Sequence, residues 1–519
     1  MHTAEQNLHD EVAQLKKINL QLQQQLAQKQ RHIERLLEQF RLQRQRRFGA
    51  SSEQAPGQGT LFNEAESLVA DLPAEPAESP AADGTPKQPR RGHRRPLPKE
   101  LPRVDVVHDL AACDQRCACG CQMNALGEEV SEQLDIIPAQ VRVIRHIRKK
   151  YACPQCQTAP ITAPLPVLPI PKSNASAGLL AHIAVAKYQD ALPLHRQEAI
   201  LQRAGIDLSR QTLARWMIQT AGLLQPLHNL LRDELLCGPV IHCDETVVQV
   251  LKEPDKPPQS QSYMWVQAGG PLQHNVVLFD YHPSRSGQVP LHLLAGYQGY
   301  LMTDGYEGYN ALAACDGLTH LCCWAHVRRK FIEAQRAQPK TKGAAKTGKV
   351  DAALNYIGKL YGIERSLKDV DAAGRYRARQ QQSVPVLEQL RLWLDQTRDS
   401  VLPTGKLGEA LQYLHKYWPK LIRYTHDGGL PIDNNRVENA IRPFVIGRKN
   451  WLFSDTPHGA AASAVIYSVI ESAKANGLEP YGYLRHLLTM LPATTSVEAI
   501  EQLLPWQVDR DALIEGLLH

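Results

Sequence analysis

The amino-acid sequence predicts a multidomain α/β protein. A chain of 519 residues exceeds what one hydrophobic core normally organises, so about three or more folded units are expected. Between positions 236 and 330, β-branched runs come first as three in succession and then alternate with helical patterns. Between Gly49 and about Pro102 the composition turns to Pro, Ala, Gly, Glu and Ser, which marks a flexible linker (49–102) between separate parts.

The first element is a heptad. Leu8, Leu15, Leu22, Lys29 and Leu36 fall on one line, and Val12, Asn19, Leu26, Ile33 and Phe40 on the line four residues later. This predicts a coiled coil with a basic end (1–48) that makes a homodimer or higher oligomer, Asn19 favouring one register. A long solvated helix is the plainer reading. The basic end, Arg41 to Arg47, suits DNA phosphates or simply water.

Six of the eleven cysteines lie in the next stretch (103–160). Disulfides do not persist in the cytoplasm, the compartment expected for a polar, Gln-rich N-terminus without an apolar run of about 18 residues. The pairs Cys117/Cys119 and Cys153/Cys156 flank a segment with strand-like alternation, Gln140–Ile147. They predict a zinc ribbon-like module with a structural Zn2+ on four thiolates. Cys113 and Cys121 are further candidates for the first knuckle, and buried or redox-active thiols are the competing reading.

Three helices follow the proline-rich stretch Pro160–Pro171: Gly178–Tyr188, Leu194–Arg203 and Ser209–Leu224. A glycine-containing turn before Ser209 as helix cap gives a helix-turn-helix DNA-binding region (175–226). Arg210, Gln211 and Arg215 would face the major groove. Ordinary cores also contain such helix pairs.

Pro239–Val250 reads as a strand with Asp244 on the side of His242 and Thr246. Gln261–Ala268 and Asn275–Tyr281 follow as strands, then Gly299–Asp304, then Thr319–Trp324 before a helix. This is the element order of an RNase-H-like core, whose first and fourth strands bring two aspartates together. Adjacent carboxylates repel and become favourable with divalent cations between them. Two Mg2+ (or Mn2+) ions roughly 3.5 to 4 Å apart serve phosphoryl transfer on DNA, and a third carboxylate is then required. Glu438, one turn into a helix that Asp433 or Asn434 can cap, is the candidate. Singly, each acid has a plain reading: Asp304-Gly305 a turn, Glu438 a partner of Arg442, Asp244 a strand-end acid.

The core would run over 236–330 and 431–475, split by a helical insertion (331–430) that shields a DNA end or mediates assembly, with a C-terminal helical appendage (476–519). Arg442, Arg448, Lys449 and Trp451 offer phosphate contacts and a stacking ring, and His326, Arg328 and Arg329 offer the same or a solvated basic face. The net charge of +6, from 59 Lys plus Arg against 53 Asp plus Glu, suits a polyanionic partner without identifying one.

With these residues in view, the chain resembles the transposases of the bacterial insertion-sequence family numbered sixty-six. The likeness rests on Arg47–Glu53, Leu126–Glu129, Tyr151–Cys153, Leu192–Glu198, Asp244–Thr246, Thr303–Tyr306, Cys323–Phe331, Asp433–Pro443 and Gly447–Phe453. It implies a zinc-binding N-terminal region and a DDE core with its triad at Asp244, Asp304 and Glu438. It also implies action on terminal inverted repeats, with accessory proteins encoded alongside and strand transfer into target DNA. The competing functions are an RNase-H-like nuclease or resolvase, and a dimeric DNA-binding repressor with a relic core.

Overall fold

The computed structural model describes Lys29 and residues 141–151, 161–337, 348–511 and 513. Apart from Lys29, the expected coiled coil and linker lie outside these residues, as do Cys113, Cys117, Cys119, Cys121, Cys153 and Cys156. The chain divides into two compact units, residues 1–68 with 164–519, and residues 69–163. No helix among the described residues is long and apolar enough to cross a membrane.

In the smaller unit, Lys150–Tyr151 (β1) pairs antiparallel with Ile161–Thr162 (β2), and the Ala163 N–H donates to the Lys149 carbonyl at 3.0 Å. The strand expected over Gln140–Ile147 is not formed. Residues 141–149 carry no ladder, and Val143 is 88% exposed. Alternation suits a half-buried strand, but a strand also needs a partner backbone, and pairing begins only at Lys150.

The larger unit opens with Ala177–Tyr188 (α1), Leu194–Arg203 (α2) and Arg210–Leu236 (α3). Ser209 caps α3 by accepting from the Thr212 N–H at 3.3 Å. The helix runs twelve residues beyond the expected Leu224, because Leu227, Leu231 and Leu235 continue the buried stripe of Leu213, Trp216, Met217 and Leu224. Its interior holds Pro226.

Val240–Gln249 (β3), Gln261–Gly269 (β4) and Val276–His282 (β5) form an antiparallel meander. After Gln288–Leu293 (α4) come Gly299–Thr303 (β6) and Leu318–Cys322 (β7). β6 lies parallel to β3 and to β7, giving the five-stranded order β5-β4-β3-β6-β7. Trp324 opens the next helix, Trp324–Arg336 (α5), and does not end β7. Then follow Lys349–Ser366 (α6), Ala372–Ala378 (α7), Val384–Arg398 (α8), Lys406–Leu421 (α9), Asn435–Trp451 (α10), Pro457–Ala475 (α11), Pro480–Met490 (α12) and Val497–Glu501 (α13).

Two apolar clusters result. One joins β3, β4 and β5 to α1, α3, α10, α11 and α12. The other joins Met302 and Leu321 of β6 and β7 to α5, α6, α8 and α9. α11 also covers the β5 edge: Ser472 Oγ accepts from the Val277 N–H at 3.0 Å and Ser468 Oγ from the Phe279 N–H at 2.8 Å. Hydroxyls thus occupy the donors that an open strand edge would offer to another chain. The segment expected as a terminal appendage is integral, since Tyr483, Leu484, Leu487 and Leu488 of α12 are fully buried in the first cluster.

Candidate metal centre

The sheet register places the two aspartates. β3 and β6 run parallel with Val240 beside Tyr300, Ile241 beside Leu301 and His242 beside Met302. The pairing ends at His242 and Met302, and Asp304 follows the last residue of β6, near enough for its charge to act on Asp244. Neighbouring strands are about 4.8 Å apart, and residues at matching register share a face. The geometry has an electrostatic cost. Burial first, then the charges of Glu245 and Asp304, push the Asp244 carboxyl well above the ordinary carboxylate range. The Glu245 N–H, which donates to Asp244 Oδ1 at 2.9 Å, and the Arg329 charge act in the opposite sense.

Asp304 sits in a tight turn. Its Oδ1 accepts from the Tyr306 N–H at 2.8 Å, and its carbonyl accepts from the Tyr413 hydroxyl of α9. Gly305 follows with φ +89°, and a Cβ there would stand 2.8 Å from the Tyr413 oxygen. Both the left-handed backbone and the close approach require glycine at that point.

Glu438 lies in the first turn of α10 and is 6% exposed. His326 and Arg329, one turn apart on α5, approach it: His326 Nδ1 at 3.6 Å and Arg329 at 3.8 Å. Arg329 therefore acts on two of the three carboxylates, pairing with Glu438 and lowering Asp244.

The start of α10 is fixed by Asn434, which is fully buried. Its backbone N–H donates to Cys323 Sγ at 3.1 Å, and its side-chain Nδ2 donates to the Cys243 carbonyl at 2.9 Å. Its Oδ1 lies 3.0 Å from His242 Nδ1. With the amide so oriented, His242 donates at Nδ1. Burial and then the Arg436 charge lower His242 to about 4, so the ring is neutral near pH 7. The expected cap is divided: Asp433 Oδ1 accepts from the Asn435 N–H at 3.3 Å, while Asn434 makes no side-chain cap bond. One residue thus ties the β3 strand of Asp244 to the α10 helix of Glu438.

The donor chemistry fits a hard divalent cation. Asp244 and Asp304 offer carboxylate oxygens whose charges act on each other, and a cation between like charges would remove that repulsion. Cys323, His326 and Glu438 also bring one ligand atom each within 4.8 Å of one another. Of that group only Glu438 suits an oxygen-seeking ion, because burial and the Glu438 charge hold Cys323 as a neutral thiol.

The expected DNA contacts divide. Arg210, Gln211 and Arg215 are all exposed on the first turns of α3, with Gln211 and Arg215 opposite its buried stripe and Arg210 at the stripe's edge. Lys449 is exposed, while Arg442, His326, Arg328 and Arg329 are half-buried. Arg448 is 9% exposed and donates to Thr246 Oγ1 at 3.2 Å, so it joins α10 to β3 and does not face a phosphate. Trp451 is half-buried and packs edge-on against Phe444 at the border of the first cluster, centroids 5.4 Å apart.

Sequence reasoning missed the partners of Glu245. This buried acid faces away from Asp244, with Arg285 at 2.6 Å and the Tyr309 hydroxyl donating at 2.7 Å. An acid on the inner side of a two-residue alternation needs a partner, which is the available signal. Arg285, forty positions on, carries no local sign of being that partner.

Comparison with known proteins gives the family. The model for the transposase IS66 family matches residues 172–462, and that for the zinc-finger binding domain of transposase IS66 matches 114–157. The IS66 C-terminal element matches 468–506, and a model described as transposase C of IS166 homeodomain matches 35–106. The chain is 33% identical over 430 residues to an uncharacterized protein, y4jD, of Sinorhizobium fredii, covering 80% of this chain and 82% of that one. It is 32% identical over 469 residues to y4qI of the same organism, also uncharacterized, covering 87% and 84%. A zinc-finger region, divalent-metal use and DNA binding come with that family, and the chain belongs to the IS66 family of transposases.

Proposed function

We propose that the five-stranded sheet is an RNase-H-like core and that Asp244, Asp304 and Glu438 form its DDE triad, holding two Mg2+ or Mn2+ ions. The observation that carries this reading is the parallel β3–β6 pairing, just beyond which Asp244 and Asp304 stand close enough for their charges to oppose each other. The strand order β5-β4-β3-β6-β7, with β3 antiparallel to β4 and parallel to β6, supports it.

When bound, the cations activate an attacking oxygen and stabilise the leaving oxygen of an in-line displacement at phosphorus. Asp244 and Asp304 supply their ligands from adjacent strands, and Glu438 supplies the third from α10. Asn434 fixes the distance between those supports. Arg329 offsets the charge of Glu438, and His326 approaches the same carboxylate. Water attacks the phosphate at each transposon end, the P–O3′ bond breaks, and a 3′-hydroxyl is freed. That hydroxyl then attacks a target phosphodiester and displaces a second 3′-oxygen, with no covalent enzyme intermediate.

Terminal inverted repeats and target DNA are the substrates in this reading. Arg210, Gln211 and Arg215 contact the repeat from α3, and Cys117, Cys119, Cys153 and Cys156 hold a structural Zn2+ within the zinc-finger region. The N-terminal coiled coil assembles copies, accessory proteins of the same element assist, and the work is cytoplasmic. The test is Mg2+-dependent cleavage and joining of an end-labelled duplex carrying the repeat, with Asp304→Asn alongside. Loss of both reactions in the variant with binding retained supports the triad. Binding without cleavage by the wild type, with the element's other proteins added, overturns it in favour of a repressor.

A further inference from the structure

Glu438, Arg442, Ile446 and Lys449 recur along α10 at four-, four- and three-residue spacing, which stacks side chains on one helix face. Exposure rises along this row. Glu438 is buried, Arg442 half-buried, Ile446 42% exposed and Lys449 exposed. Beyond its end, Leu452 and Phe453 are 63% and 43% exposed. A row that alternates cations with apolar side chains, leading from a carboxylate site to two large apolar groups in water, suits a polyanion with apolar faces, which is DNA.

The turn is held rigidly in an unfavourable shape. Leu452 has φ +64° and ψ −53°, the positive-φ γ-turn conformation, which is strained for a residue with a side chain. It is enforced from both sides. The Leu452 N–H donates to the Arg448 carbonyl at 2.7 Å and the Phe453 N–H to the Trp451 carbonyl at 2.8 Å. Past the turn, the Ser454 N–H donates to the Gln249 carbonyl at 2.9 Å and the Leu251 N–H to the Ser454 carbonyl at 3.0 Å, stitching the chain to the end of β3. Trp451 is anchored against Phe444. Strain retained under such constraint, at a place where the apolar groups bury little, has no folding benefit.

We propose that α10 is a track for the bound duplex and that Leu452 and Phe453 form a wedge that enters the base stack. Leu452 lies fourteen residues after Glu438, about 21 Å along a helix and so about six base-pair steps. The opened step is therefore remote from the cleaved phosphate. Distortion there bends the duplex onto the track and holds the repeat end in register with the carboxylates. This inference rests on the DNA-processing reading of the metal centre.

The experiment uses the full chain without divalent metal, so that no DNA is cut. The probe is a duplex carrying the terminal repeat and its flank, with 2-aminopurine placed at one position at a time. At saturating protein, fluorescence should rise only at one or two positions about six base pairs from the repeat edge. Leu452→Ala with Phe453→Ala should abolish that rise at saturation and weaken binding about tenfold, and Phe453→Trp should preserve it. Leu452→Gly separates the wedge from a structural role: it should leave Tm unchanged or raised, because glycine accepts the positive-φ backbone, while reducing the signal. A flat profile on bound DNA, or a rise unaffected by the double substitution, overturns the wedge and leaves the metal centre untouched. A wild type that does not bind the repeat overturns both. Loss of self-association in the double variant with the fluorescence intact would reassign the surface to a contact between copies and overturn the inference.

Discussion

The two faces of β3 carry adjacent acids that burial and the charge of Asp304 both push up, but whose partners differ. On one face, Glu245 is enclosed by the Arg285 guanidinium at 2.6 Å and the Tyr309 hydroxyl at 2.7 Å. Arg285 in turn stacks over the Tyr306 ring at 3.8 Å. On the other face, Asp244 accepts from the next backbone N–H and stands in the field of two further carboxylates, with the Arg329 charge acting against them. A satisfied acid stabilises a fold, whereas an acid set among like charges is stable as an anion only when something positive arrives. The contrast lies in the partners: Glu245 has a guanidinium and a hydroxyl, whereas Asp244 is the acid proposed as a metal ligand.

The largest effect that would break this contrast is on catalysis. Asp244→Asn should lower Mg2+-dependent cleavage on the order of a thousandfold or more, since metal-ion stabilisation of the transition state is worth several kcal/mol. In metal-free buffer the same variant should melt at or above the wild-type temperature, because it removes a like charge. A drop in Tm measured by calorimetry would place Asp244 among the structural acids. Next in size is Asn434→Ala. It strands the His242 ring and the Cys243 carbonyl, two buried polar groups, and should cost about 2–4 kcal/mol in urea titrations. The surviving enzyme should need more Mg2+ for half-maximal rate, because Glu438 loses its fixed distance from β3. An unchanged Mg2+ requirement would confine Asn434 to stability.

Much of this arrangement is legible in the amino-acid sequence. The strands of the sheet follow from β-branched alternation, and the proposed triad rests on the demand of two-metal chemistry for a third acid. What escapes depends on partners far apart in the chain. Asn434 reads as a helix cap, but its amide is taken by His242 and Cys243, 192 and 191 positions away. Arg448 and Trp451 read as DNA contacts because charge and aromaticity are visible in sequence and burial is not. The end of α3 falls later than Leu224 because Leu227, Leu231 and Leu235 carry its apolar stripe on past Pro226. Gln140–Ile147 has a strand's alternation without a strand's neighbour.

Metal binding sharpens the comparison at smaller scale. A cation that binds only the folded state stabilises it by about 2.7 kcal/mol at a hundred times its Kd. Thermal melts in Mg2+ should therefore rise for the wild type and barely move for Asp244→Asn.

Glu245→Gln gives the smallest effect and the most discriminating one. Removing the charge leaves Arg285 without its counter-ion, but Arg285 is 41% exposed at its side chain, so water replaces part of the loss. The expected cost is about 1–2 kcal/mol, below that of a fully buried pair. Because Glu245 also raises Asp244, the variant should relieve part of the repulsion at the metal centre, so the Mg2+-induced rise in Tm should persist at close to wild-type size. If that rise vanished, Glu245 would be a ligand in its own right, and the division between the two faces of β3 would fail.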